Sequence, residues 1–456
     1  TDPYSESFAR IADRVGMLVV NELTDKWSDN DYWGGRQPFT HLWHKLITEW
    51  IKRDRNRPSI ILWSLGNELQ IREGWAGFEG TNDWGITTYN IFNQLVKRWD
   101  HTRLTTVAMF PARAGAITRH DKEFNDYLVP PELACATEVA SFNYQSDKYD
   151  AYLKYQPDLI LFQSEAETSK LLQPYYNMDR KRTVGMAYWG SAEYWGESNK
   201  WPKKGWNYSF FDHTMRPYPQ AYLIKSAFMP EIPEVHIGVV DAAGAESVSW
   251  NDVTVGRMAL NECWNHIPGS RQSLFTYTNA HSVELLVNGQ SMGVQQNDTT
   301  QANLRNMIYW KDVPYGNGGS VVAIARDKSG KEVARHRIET AGKAVALQIE
   351  TETPADWKAD GMDLQYINVT AIDKKGRPVW DYNEPLTLQM EGAARLVALD
   401  NGDHYTDELF QGITSKRMYQ GRMQIILRST KTPSNVKLKI SSADLKEKLS
   451  LKTFLK

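Results

Sequence analysis

"SIILWSLGNEL", residues 59–69, opens as a strand and closes on a carboxylate. Ser59 to Trp63 form a β-rich apolar run after Pro58, and Gly66, Asn67 and Glu68 end it with a small residue, an amide and an acid. Every buried strand must surface somewhere, so exit polarity alone explains this one stretch. The same pattern recurs, however. Strands are read at 17–22, 59–66, 104–110, 137–143, 159–164 and 184–189. The first delivers Asn21-Glu22, the second Asn67-Glu68, the fourth Asn143-Tyr144-Gln145, the fifth Ser164-Glu165 and the sixth Trp189. Exit polarity explains each of these ends but not their common placement.

Helices are expected between the strands, near 38–55, 84–99 (after a long polar loop), 147–155 and 168–180, with another near 217–228. In the first of these, Leu42, Leu46, Ile47, Trp50 and Ile51 share one face. Strands alternating with helices predict a parallel sheet wrapped by helices. The count is six, two short of a (β/α)8 TIM barrel, the fold in which functional groups gather at the carboxyl ends of strands. After "MPEIPEVHIG" the pattern becomes all-β: "SLFTYTN", "SVELLVNGQSMG" and "SVVAIARDKSGKEV", with hairpin turns expected at Asn288-Gly289 and Ser329-Gly330. From about 343 onward, "YINVTAIDKKGRPV" and "NVKLKISS" alternate in the same way. The expected architecture is a partial barrel over 1–230 followed by two β-sandwich domains over 231–342 and 343–456.

Composition narrows the function classes. The chain has 456 residues, 41 % of them hydrophobic and 24 % charged, and a formal charge of -2. That balance offers no electrostatic case for nucleic acid or an anionic membrane. No apolar run approaches the ~20 residues needed to span a bilayer. Two cysteines, Cys135 and Cys263, define neither a disulfide framework nor a metal site, and they leave the compartment open. The 17 tryptophans, most of them before residue 230, suit a carbohydrate site, because aromatic faces stack on sugar rings. No Gly-rich phosphate loop, metal-ligand spacing or Ser/His/Asp arrangement stands out, so no cofactor is expected.

Two glutamates at the mouth of one barrel suit the hydrolysis of an acetal. One carboxyl group must be protonated to help the leaving oxygen depart, and a second, ionised one attacks the anomeric carbon or activates water. Sequence spacing leaves retention and inversion open.

At this point the motifs match a known family. "IADRVGMLVVNE", "RNRPSIILWSLGNE", "SFNYQ", "LFQSEAET" and "AYWGSAEYWGE" resemble, in order, the barrel of glycoside hydrolase family 2, the β-galactosidase family. The resemblance implies a retaining double displacement with Glu68 as general acid/base and Glu165 as nucleophile. It also implies that Asn67 contacts the sugar 2-hydroxyl, that Tyr144 hydrogen-bonds the nucleophile, and that Asn143 and Trp189 belong to the sugar subsite. "FTYTNAHSVELLVNGQSMG" is similar to a sandwich domain that follows the barrel in relatives. "ADGMDLQYINVTAIDKKGRPV" with "LVALDNGD" is similar to the immunoglobulin-like domain after it. "TDPY" resembles the loop just after the second barrel strand, so the first two strands and the family's leading domains are expected outside this sequence. Glu193-Tyr194 stands where many relatives carry Asp-Tyr.

The reading is thus an exo-acting retaining β-glycosidase, a β-galactosidase by preference. β-Glucuronidase, β-mannosidase and a catalytically incomplete carbohydrate-binding fragment are the alternatives. Its partner is a carbohydrate, a homo-oligomer is allowed, and a periplasmic or secreted role in glycan breakdown fits. Lys203-Lys204-Gly205 bears on the acidic-sugar alternative. Glu22, Glu167 and Glu197 are expected to be structural or solvated, and His41, His44 and His101 ordinary. Trp195, Trp201 and Trp206 are divided between core and aglycone platform. Asn207, Asn297 and Asn368 head glycosylation triplets.

Overall fold

The computed structural model describes residues 3–27, 39–69, 85–110, 130–198, 201–241, 246–250, 253–352 and 356–454. The polar loop expected before the helix at 84–99 lies outside them. The chain forms two compact units, Thr1–Trp189 with Ser247–Val255, and Gly190–Glu246 with Gly256–Lys456.

The first unit is built on a six-stranded parallel sheet: β1 (Val19–Glu22), β2 (Ile60–Asn67), β3 (Leu104–Met109), β4 (Val139–Asn143), β5 (Leu161–Ala166) and β6 (Thr183–Tyr188), paired in chain order. This is the curled half-barrel of the expected fold, with the strands where the sequence puts them. Four helices intervene or precede: α1 (Glu6–Val15), α2 (Phe39–Asp54), α3 (Ile86–Trp99) and α5 (Tyr149–Tyr155), with the short α4 (Glu132–Ala136) before β4. α1 has local causes for both ends. Ser5 Oγ accepts the Phe8 N–H at 3.2 Å, and Gly16, at φ 73°, returns its N–H to Ala12. The helix expected over 168–180 is absent; a 3-10 turn at Thr168–Lys170 and one turn at Gln173–Tyr176 take its place. Pro174 suits only a first helical turn, and Leu171 at φ 49° breaks the segment.

Sheet and helices share one core. On β2, Trp63 is fully buried and meets Trp50 of α2 edge-on, ring centroids 4.8 Å apart. Ile47, Ile51, Tyr89, Val96, Val107, Phe142, Tyr152 and Leu161 complete it. On the opposite face of the sheet, Leu62, Val139 and Phe162 form a small second cluster. Burial on both faces is why β2 reads as a continuous apolar run rather than an alternating one.

In the second unit, Leu260–Asn261, Val235–Val240, Arg271–Thr278 and Met307–Pro314 form one sheet. Gln290–Gln296, Ser282–Val287, Ser320–Arg326 and Glu332–Glu339 form another. Val235, Ile237, Leu274, Val283, Leu285 and Val321 bring both sheets into a single core. Two further four-stranded sheets, containing Leu364–Ile372 and Asn435–Ser442, enclose a separate core of Leu347, Trp357, Ile367, Leu386, Ile425 and Ile440. Asn288-Gly289 turns the hairpin with both residues at positive φ, as a two-residue loop of this type requires.

Candidate active site

Three strands place the site. β2 ends in Asn67 and is followed by Glu68, β4 ends in Asn143 and is followed by Tyr144, and β5 carries Glu165 next to its last residue. Each pairing shifts register at this end: between Ser64 and Asn67, between Phe142 and Asn143, and between Gln163 and Ala166. Such irregularities are uncommon between parallel strands, and their effect is to re-aim side chains.

Glu68 and Tyr144 both leave their strands in the left-handed region, at φ 49° and 62°. A residue with a Cβ pays roughly 1–2 kcal/mol to sit there. In each case the same device holds it. The Glu68 N–H donates to Ala108 O at 2.7 Å and the Tyr144 N–H to Glu165 O at 2.7 Å, each reaching a neighbouring strand. Glycine would remove the cost, so the side chains are what the position retains. Gly66 has the opposite logic. A Cβ there would lie 2.8 Å from Trp27 Nε1, whose N–H donates to Leu65 O at 2.6 Å.

The side chains then converge. Asn143 is fully buried, and its Nδ2 donates at 3.0 Å to Glu68 Oε1 and at 3.0 Å to Asn67 Oδ1, while its own Oδ1 accepts from Ser164 Oγ at 2.7 Å. The adjacent Tyr144 donates its hydroxyl to Glu165 Oε2. One dipeptide therefore grips both carboxylates. Phe110 packs edge-on against the Tyr144 ring, centroids 6.1 Å apart. Asn67 is braced from behind: its Nδ2 donates to Asp25 Oδ1 at 3.0 Å, its N–H donates to Asp25 O, and Lys26 Nζ donates to its carbonyl at 2.9 Å. Trp189 follows β6, and its N–H donates to Ala166 O at 3.0 Å, one residue beyond Glu165.

The other expected residues separate. Glu22 accepts from Ser64 Oγ at 2.6 Å, and burial pushes its carboxyl group above the usual range. Asn21, the other residue of that strand end, donates instead to Asp54 of α2 at 3.0 Å and stands apart from the glutamates, since successive side chains alternate faces. Glu167 is buried and paired with Lys170 at 3.3 Å. In the second unit, Trp206 is core, whereas Trp201 is 76 % exposed and Trp195 half-exposed. Asn207 is buried, which bars a glycan from it. Asp25, Lys26 and Phe110 were missed. Asp25 and Lys26 sit in the loop after β1, where only proximity to Asn21-Glu22 hinted at them.

Family models match three stretches: "Glycosyl hydrolases family 2, TIM barrel domain" over 2–184, a domain of unknown function over 269–334, and "Glycoside hydrolase family 2 C-terminal domain 5" over 347–449. The chain belongs to glycoside hydrolase family 2 and carries that family's barrel and one of its C-terminal domains. Beta-galactosidase BoGH2A of Bacteroides ovatus is 24 % identical over 98 % of this chain and 56 % of its own length. A putative beta-glucuronidase of Formosa agariphila is 24 % identical over 93 % of this chain and 42 % of its own. A solved family 2 glycosyl hydrolase from Bacteroides cellulosilyticus superposes with a TM-score of 0.80 at 25 % identity, covering 99 % of this chain and 55 % of that one. The chain thus spans about half the length of the relatives it matches.

Proposed function

We propose that this chain is the catalytic and C-terminal part of a retaining, exo-acting β-galactosidase, with Glu68 as general acid/base and Glu165 as nucleophile. The observation that carries the reading is the Asn143-Tyr144 dipeptide, which hydrogen-bonds one carboxylate with each residue. Double displacement asks two things of the pair. The nucleophile must present one oxygen to the anomeric carbon while its other oxygen is held, and Tyr144 supplies that hold. The acid must keep a fixed orientation while it loses and regains a proton, and a neutral amide donor orients Glu68 in either state. In this reading Asn67 keeps its second amide hydrogen for a sugar hydroxyl, and Trp189 lines the sugar subsite.

Galactose is preferred over an acidic sugar on two grounds. The relative that matches over 98 % of the chain bears the name β-galactosidase. Of the Lys203-Lys204 pair that bears on a sugar carboxylate, Lys203 is buried against Tyr208, its ammonium 3.2 Å from the hydroxyl and 4.2 Å from the ring centre, and Lys204 donates to the Thr406 carbonyl. The glucuronidase reading keeps support from several relatives of that name. We further propose the division at 1–230, 231–342 and 343–456, and a periplasmic or extracellular place for the protein, where polymeric glycans are met. No described helix is long and apolar enough to cross a membrane.

Aryl β-galactoside, β-glucuronide, β-mannoside and β-glucoside, assayed side by side, test the substrate. The galactoside should turn over fastest, with the β-anomer as the first product by NMR. A first-formed α-anomer overturns the retaining mechanism, and a preferred glucuronide overturns the sugar.

A further inference from the structure

Beyond the last strand of the barrel segment, the second unit gathers Glu193, His213 and His404, whose ligand-type atoms all lie within 4.8 Å of one another. His404 Nε2 stands 2.9 Å from Glu193 Oε2, and His213 Nδ1 stands 3.4 Å from the same oxygen. We propose that these three side chains form a binding site for a divalent transition metal of the zinc class.

The His404 ring is the first ground. It is 5 % exposed, and neither of its nitrogens makes a hydrogen bond: the 2.9 Å approach to Glu193 has the distance of one but not the direction. Orphaned imidazole nitrogens in a protein interior cost free energy unless a ligand takes them up. Spacing is the second ground. Ligands at ~2.0–2.1 Å from a tetrahedral ion stand about 3.3 Å apart along an edge, and the two measured separations bracket that value.

The surroundings are those of a built metal site. His213 turns its other nitrogen, Nε2, to Asp400 Oδ1 at 2.8 Å, the carboxylate–histidine arrangement that orients a ligand ring. The second oxygen of Glu193 accepts from Tyr218 at 2.8 Å. Trp195 and Phe410 pack edge-on against the His213 ring, enclosing it in apolar surface. Backbone bonds fix both halves: Glu193 N–H to Phe211 O at 2.9 Å, and Lys204 N–H to His404 O at 3.1 Å. Glu193 and His404 also border a cavity of about 100 Å³, room for a water as fourth ligand. A bound ion would tie the segment carrying Glu193 and His213 to the turn carrying Asp400 and His404.

A second group, His236, Glu262 and His336, supplies the internal control. His336 Nδ1 accepts the Ile237 N–H at 3.0 Å, so a neutral His336 carries its proton on Nε2, the atom that faces Glu262, and cannot ligate there.

The test uses the full chain, stripped with a chelator and given Zn²⁺ alone. One zinc per chain should survive gel filtration and raise the melting temperature. H404Q and H213Q should each lose the bound zinc, D400N should weaken it by ~10–100-fold, and H236Q should leave it unchanged. Substitution with Co²⁺ reads the site without a variant, and the strong visible absorption of tetrahedral cobalt is expected. Failure of the unsubstituted chain to retain zinc, equal retention by H404Q and H213Q, or a weak octahedral cobalt spectrum would each overturn the site.

Discussion

The two ends of the six-stranded sheet bury carboxylates in different ways. At the amino end, cations meet them. Asp100 accepts from Arg103 at 2.7 Å and from Trp63 at 2.9 Å, Asp13 from Arg57 at 3.3 Å and the Ser59 N–H at 3.0 Å, and Glu138 from Lys97 at 2.9 Å. At the carboxyl end, neutral donors on other strands reach them: Ser64 to Glu22, Asn143 to Glu68, Tyr144 to Glu165. A cation locks a carboxylate in its charged form, whereas an amide or hydroxyl orients it without fixing its proton. The first arrangement suits stability and the second suits chemistry, the division that barrels show between their two faces.

The largest effect should come from the carboxyl end. E165Q should lower turnover of every β-glycoside by on the order of 10⁴-fold or more, with an unchanged circular dichroism spectrum; retained activity would remove Glu165 as nucleophile. E68A should cost about 10²–10⁴-fold on glycosides with poor leaving groups and far less on activated aryl glycosides, which depart without a proton. Equal losses on both substrates would break the acid assignment.

The amino end should respond in stability instead. R103A strands the buried Asp100 and removes donors to the Ile60, Arg55 and Arg57 carbonyls. A loss of about 3–5 kcal/mol in chemical denaturation is expected, with kcat per folded molecule unchanged. Acid should act there as well. Burial opposes ionisation of Asp100, but hydrogen bonds from Thr102, Arg103 and Trp63 prevail and hold its carboxyl well below the usual range. Its contribution is therefore complete above about pH 4 and disappears as pH falls through the lower folded value.

N143A lies between the two behaviours. It leaves Glu68, Asn67 and Ser164 without their shared partner, at about 1–3 kcal/mol of stability, and it should lower kcat as well. A purely structural Asn143 would move stability alone. The smallest effect belongs to E22Q. Burial raises the Glu22 carboxyl, so its charged form costs stability that appears as pH climbs from the ordinary carboxylate range through the raised folded value. The melting temperature of E22Q should therefore gain on that of the unsubstituted chain over the window that opens at the ordinary carboxylate value of about pH 4 and runs upward from it. A constant difference would mean that Glu22 does not titrate in that window.

The strand and helix order of the barrel segment was legible because both are local. Five of the expected site residues, Asn67, Glu68, Asn143, Tyr144 and Glu165, do touch one another as a group, since parallel strands bring like ends together. Asn21, which shares its strand end with Glu22, turns instead to Asp54 of α2, a partner 33 residues away that its local sequence does not reveal. The tightening of 168–180 into single turns was equally hidden.

By itself the sequence determined the alternation of elements, the change to hairpins after residue 230 and the carboxylates at strand ends, all properties of neighbours along the chain. Tertiary structure decided which donor each carboxylate received, and it brought Glu193, His213 and His404 together. Contacts between residues about 190 positions apart leave no periodicity to read. They exist only once the backbone has closed around them.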